Sequence, residues 1–371
     1  MKSVLEYEKP TKATMILLIL VAAALAAAVI LTRNNHGYYE ESIARITSLN
    51  ETQVSVAFGV SETEEEYYLQ KIEAIILNGE YKGRSIALEN ERTDSGVYDE
   101  KLKDGDEIFV SLDESSGIWT YDEIKRDTLL ASAAAIFIFA AVAIGRRKGI
   151  LSIASVLINI AVFSYAISQY MQGVNIMLLA SLSAVFFSVV SLIMYCGFTR
   201  KTLSAVMSTL AGLAASMLIT FAVISLTDYH GVWIESLEFL IIETDYRSIF
   251  LAGLLIGGLG AIMDIAVTVT SSLFELHASN PHVSSIELMS SGRAIGRDIM
   301  GTMVNVMFFT FIGGSLPVIL LSGRNGISIA EYFTSFASIE LVRFFAGSIG
   351  LVLEIPISLL IAIFMLRRRY I

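Results

Sequence analysis

The sequence predicts an α-helical integral membrane protein with about eight transmembrane helices and a small β-rich extracytoplasmic domain, an OB-like or SH3-like barrel, inserted after helix 1. Three observations carry that expectation. Of 371 residues, 54% are hydrophobic and 17% charged, with a mean hydropathy of +0.65. That is more apolar surface than one soluble core of this size can bury. Eight apolar stretches, near 13–32, 128–145, 150–168, 176–196, 203–226, 249–270, 300–321 and 343–366, approach the ~20 helical residues that cross a hydrocarbon core. Between the first two, the apolar pattern changes from helical to alternating.

Taken in order, residues 1–32 form a short amino-terminal segment and helix 1. Lys2, Lys9 and Lys12 precede an apolar run of about 20 residues, longer than a signal-peptide core, which favours an uncleaved anchor. Residues 33–127 form the β-rich domain. Gln53 to Phe58 and Glu107 to Leu112 alternate as half-buried strands do, and Asn78-Gly79, Lys82-Gly83 and Asp104-Gly105 supply turn chemistry between apolar runs. The run from Glu62 to Glu66 reads as a solvated loop rather than a cation site. Residues 128–371 hold helices 2–8, and the loop 227–248, with Tyr229, Trp233 and Tyr246 among apolar residues, suits the membrane interface.

Charge sets the orientation. Residues 33–127 carry 22 acidic and 10 basic side chains, a net −12 in a chain of net −10. Thirteen Lys and Arg flank the helix ends on the amino-terminal side: Lys2, Lys9, Lys12, Arg146, Arg147, Lys148, Arg200, Lys201, Arg293, Arg297, Arg367, Arg368 and Arg369. Only Arg247, Arg324 and Arg343 mark the short loops opposite. The positive-inside rule therefore places both termini in the cytoplasm and the acidic domain outside. Such a domain would repel nucleic acid. A single cysteine, Cys196, excludes an intrachain disulfide and a multi-Cys metal site.

Two carboxylates fall inside apolar helices, where each costs roughly 2.5–3.5 kcal/mol on insertion scales: Asp264 in helix 6 and Glu354 in helix 8. Pro356 denies the Val352 carbonyl its helical partner, one turn from Glu354. On a continuous helix, Asp264, Thr268, Ser271 and Glu275 recur at four, three and four residues as one polar stripe, expected to face a bundle interior or a water-filled cavity. Arg293, Arg297 and Asp298 lie near one another on the next helix, with Asn305 on the same face as Asp298, and either arginine is placed to neutralise Asp264 or Glu275. Gly253, Gly257, Gly258 and Gly260 suggest close helix packing in preference to a glycine-lined path. No hydrolase, nucleotide-binding or metal-ligand motif is present, so no enzyme activity and no cofactor are expected.

The runs GLLIGGLGAIMDIAVTVTSSLFEL at 253–276 and SGRAIGRDIMGTMVN at 291–305 resemble the YibE/F-like family of bacterial multi-pass membrane proteins, and the inserted domain resembles its longer, YibE-type members. The likeness implies a membrane or transport role and a shorter YibF-type membrane companion, and supplies no active site. Two functions are carried forward. One is a permease or permease subunit with proton or cation coupling, acting on an unknown small solute or ion. The other is an envelope scaffold that presents the acidic domain to an external ligand.

Overall fold

The computed structural model describes residues 12–58, 64–94, 96, 99–113, 115–226, 246–324, 326–335 and 338–367. The interfacial loop expected at 227–248 falls almost wholly outside these residues. The chain divides into two compact units, Met1–Ile150 and Leu151–Ile371.

The first unit opens with helix α1, Lys12–Arg33, whose apolar side chains, Ile16, Ile19 and Leu20 among them, are exposed. An antiparallel sheet follows: β1 Ser42–Phe58, β2 Glu64–Ile76, β3 Ser85–Thr93, β4 Glu107–Asp113 and β5 Ile118–Ile124. Its order is β3-β2-β1-β4-β5, and the two outer strands, β3 and β5, also approach each other. One face is apolar: Ala44, Ile46, Ile72, Ala74, Ile86, Leu88, Ile108, Val110 and Trp119 form a closed core. The expected turns are present, with Gly79 at φ +69° and Gly105 at φ +89°, a region that costs glycine little and other residues much. One expectation needs correction. Gln53–Val56 is strand as predicted but exposed on both faces, because the β1–β2 hairpin continues past the end of the core.

Asn78 secures the entry to this sheet. Its buried side chain accepts from the Ile43 backbone N–H at 2.6 Å and donates to the carbonyls of His36 at 2.9 Å and Glu41 at 2.8 Å. Asn78→Ala leaves the buried Ile43 N–H without its acceptor. The sheet should lose about 2 kcal/mol, read as faster hydrogen exchange confined to residues 36–46 and 76–84, with unchanged exchange there counting against this role.

Helix α2, Asp127–Met171, covers two predicted spans in one 45-residue helix, about 68 Å at 1.5 Å per residue and twice a bilayer core. It is broken at Arg146, which has φ 48° and ψ −126°. A Cβ built on Gly149 would overlap the Ala141 carbonyl oxygen. Residues eight apart on a straight helix lie ~12 Å from each other, so the chain turns back sharply at Arg146-Arg147-Lys148.

The second unit contains α3 Ile176–Cys196, α4 Arg200–Leu226, α5 Tyr246–Ser279, α6 Ser285–Arg324, α7 Ile329–Ser335 and α8 Ser338–Arg367. Helix α5 is its hub, packing on α3, α4, α6 and α8. Ile262, Ile265, Val269 and Leu273 of α5 meet Leu213 of α4 and Leu351 and Leu359 of α8 in the core. Among the described residues, seven helices are long and apolar enough to cross a membrane. Their outward faces carry large apolar side chains such as Phe163, Leu182, Leu218, Phe309 and Phe364, far more exposed apolar surface than a water-soluble fold leaves open.

Candidate functional site

Helices α4 and α8 each place a small or polar residue at every fourth position on the buried face. On α4 these are Ser204, Ser208, Gly212, Ser216 and Thr220; on α8 they are Ala346, Gly350, Glu354, Ser358 and Ala362. Rows spaced by four are the ridges that interlock when two helices pack closely, and small side chains let the backbones approach. The register is read from three contacts. A Cβ on Gly212 would overlap Glu354 Oε2, and a Cβ on Gly350 would come within 2.8 Å of Ser216 Oγ. Ser216 Oγ also donates to the Ala346 carbonyl at 3.1 Å. As α4 advances by one turn its partner on α8 recedes by one turn, so the two helices are antiparallel.

Glu354 is the one long side chain in these two rows, and it is 0% exposed. Ser358 Oγ, also fully buried, donates to Glu354 Oε1 at 2.5 Å. Glu354 Oε2 has no hydrogen-bond partner among the described residues and lies against the bare Cα of Gly212, with Ile262 of α5 closing the third side. Glu354 therefore has no basic partner among the described residues. Buried hydroxyls without partners among the described residues lie elsewhere in the bundle, at Ser204 and Thr220 of α4 and Thr270 of α5. A carboxyl in such surroundings needs a proton or a cation to balance it. Among the described residues no cluster of three or more His, Cys, Asp or Glu is placed to hold a metal ion.

The other predicted residues lie elsewhere. Helix α5 does continue past Ser271, and Asp264, Thr268, Ser271 and Glu275 do share one face. That face, however, is the outer surface of the unit: Asp264, Thr268 and Glu275 are exposed and Ser271 is half-buried. The expected bundle interior is instead filled by the opposite face, Ile262, Ile265, Ala266 and Val269. The expected pairing is corrected too, since Glu275 lies 3.4 Å from Lys201 of α4 rather than against Arg293 or Arg297. Arg293, Arg297, Asp298 and Asn305 are exposed on α6, and Asn305 Nδ2 donates to its own helix at Gly301 O, 2.8 Å away.

The glycines of α5 do not act as expected either. Nothing lies within 4 Å of a Cβ built on Gly253 or Gly260. Close packing falls to Gly212 and Gly350, and to Gly292 and Gly296 of α6 against Leu273, Leu359 and Ile355. Val352 and Pro356 occupy the exposed side of α8, so the freed carbonyl stands away from the Glu354 face. The α4 face was missed in the sequence although its four-residue repeat of Ser, Gly and Thr is visible there.

Long apolar helices that enclose the buried Glu354 carboxyl, in a chain that also carries an antiparallel sheet, fit a polytopic membrane protein. Comparison with known families agrees. The model of the YibE/F-like protein family matches residues 133–368, and that of the YibE/F family N-terminal domain matches residues 37–125. The chain belongs to the YibE/F-like family. No curated protein and no solved structure matches it.

Proposed function

We propose that this chain is a multi-pass permease, or the membrane subunit of one, in the bacterial cytoplasmic membrane, coupled to protons or cations through Glu354. Both termini face the cytoplasm, and residues 33–127 stand outside as an OB-like barrel, a reading supported by the strand order and by the approach of β3 to β5. Reading α2 as two spans, one on each side of the break at Arg146, gives eight in place of the seven candidate helices among the described residues. The observation that carries the proposal is the fully buried Glu354 carboxyl, with Oε2 unpartnered among the described residues, where α8 packs on Gly212 of α4. Such a group is costly in a membrane and serves no anchoring purpose. The exposed stripe of Asp264, Thr268, Ser271 and Glu275, with the bare glycines above it, supplies a polar lateral groove for an unknown small solute or ion, or a seat for a YibF-type companion. Arg293, Arg297 and Asp298, exposed on the first half of α6, would supply charges on the cytoplasmic side.

Proteoliposomes of the full chain, loaded with a pH-sensitive dye and screened against metal ions, anions and amino acids, test this reading. Glu354→Gln keeps the size and the Ser358 hydrogen bond and removes the titration. Coupled flux should fall to background, while Asp264→Asn should slow flux without uncoupling it. If both variants match the wild type in a solute-dependent growth assay and deletion of residues 37–122 is null, the chain is an envelope scaffold acting through its acidic domain.

A further inference from the structure

At the end of the helix bundle where α4 begins and α5 and α8 finish, a cavity of about 230 Å³ is lined by Arg200, Phe274, His277, Ala278, Met365 and Leu366. Its walls are mostly apolar, with two nitrogenous side chains as the polar groups. Arg200 forms no ion pair among the described residues, whereas its neighbour Lys201 lies against Glu275 at 3.4 Å. His277 Nδ1 is buried and has no hydrogen-bond partner among the described residues. Among the described residues no acidic side chain lines the cavity. It therefore offers a planar cation and a buried hydrogen-bonding nitrogen that lacks a partner, set in an apolar wall.

We infer that this cavity binds a phosphate ester anion, held by Arg200 and His277. A guanidinium matches phosphate oxygens in a two-pronged geometry that an ammonium lacks. In the tautomer with its proton on Nδ1, His277 adds a second donor. The volume suits a phosphate ester head and is below the roughly 300–1,000 Å³ of sites for drug-sized molecules, so the rest of a lipid would lie outside the cavity. Phe274, Met365 and Leu366 suit the glycerol and first methylenes that a phospholipid carries beside its phosphate. Basic pockets between helices on the cytoplasmic side are where anionic lipid heads settle. The lipid source rests on the membrane placement proposed above; a soluble phosphate does not. Neither depends on Glu354 or on transport.

Native mass spectrometry of the purified full chain, released from micelles of phosphatidylglycerol and phosphatidylcholine in equal amounts, tests the inference. The chain should keep one phosphatidylglycerol in preference to phosphatidylcholine. Arg200→Gln, which removes the charge, and Ala278→Trp, which fills the cavity and leaves the charge, should each weaken retention by roughly tenfold. Arg367→Gln, at an exposed arginine outside the cavity, should not. Addition of millimolar inorganic phosphate separates the sources: displacement of the lipid, with saturable phosphate binding in its place, identifies a soluble phosphate ester, and resistance to displacement identifies the lipid head. Equal retention of the two lipids without phosphate binding, wild-type retention in both cavity variants, or an equal loss in Arg367→Gln would overturn the assignment.

Discussion

Gly212→Ala should destabilise the helical unit by about 1–3 kcal/mol, the usual cost of forcing one methyl into a packed core, and Glu354→Ala in the same chain should recover most of that loss. The Cβ introduced at position 212 has nowhere to go. It would overlap Glu354 Oε2, with the carboxyl carbon 3.0 Å and Ile262 Cγ2 3.2 Å away. The carboxyl cannot rotate freely, because Oε1 is tied to Ser358 Oγ at 2.5 Å. The backbones of α4 and α8 must therefore separate. Shortening residue 354 to alanine empties the space that the new methyl needs, so the two changes are strongly coupled. Unfolding midpoints of the four chains of the double-mutant cycle, titrated with sodium dodecyl sulfate in mixed micelles, give the coupling directly. Additive losses would mean that Gly212 and Glu354 are not in contact, and the site described above would lose its geometry.

This pair also shows which features the sequence conveyed. Glu354 stood out because a carboxylate in a long apolar run is chemically conspicuous on any backbone. Gly212 did not, because one glycine in a helix has several uses, and only the facing residue shows that this one makes room for a carboxyl. The α5 stripe was legible as a face, since periodicity fixes which residues share a side of a helix. Its direction was not, because a helix that is apolar on most sides has no polar outside to reveal which side faces its neighbours. Asp264, Thr268 and Glu275 therefore emerged together, as expected, but on the surface. In the sheet, turn chemistry at Asn78-Gly79 and Asp104-Gly105 located the strands, while the polar interior next to Glu51 left no alternation to read.

That polar interior underlies the other large effect, which lies in the first unit. Arg92 is 7% exposed and reaches Glu51 through two hydrogen bonds, from Nε to Oε2 at 2.9 Å and from Nη2 to Oε1 at 2.7 Å. Its guanidinium also stacks on the Tyr68 ring, 4.2 Å from the centroid. Gln70, wholly buried, donates to Glu51 Oε2 at 2.8 Å and accepts from Asn90 at 3.0 Å. Arg92→Met keeps most of the side-chain volume and leaves Glu51 without its counter-charge. Breaking a buried pair from one side costs about 3–5 kcal/mol, and the partial exposure of Glu51, 22%, puts the expected loss near the lower end, about 3 kcal/mol.

The same pair predicts a pH window. Hydrogen bonds from Arg92, acting against burial and assisted by Gln70 and Lys101, hold the Glu51 carboxyl down at about 2, against 4.5 for a free glutamate. Because the folded value is the lower one, the stabilisation is complete above pH 4.5 and is lost as pH falls through about 2. Hydrogen exchange of β2 and β3 in the full chain, corrected for the intrinsic rate at each pH, should show protection falling across that window in the wild type. In Arg92→Met, protection should already be low at neutral pH, with most of the acid-dependent change removed. Glu107 and Asp113, whose carboxyls are also lowered, titrate in both chains and cancel in the difference. Protection in Arg92→Met that matched the wild type at pH 7, or fell with acid along the same curve, would mean that the Glu51–Arg92 pair does not hold the sheet.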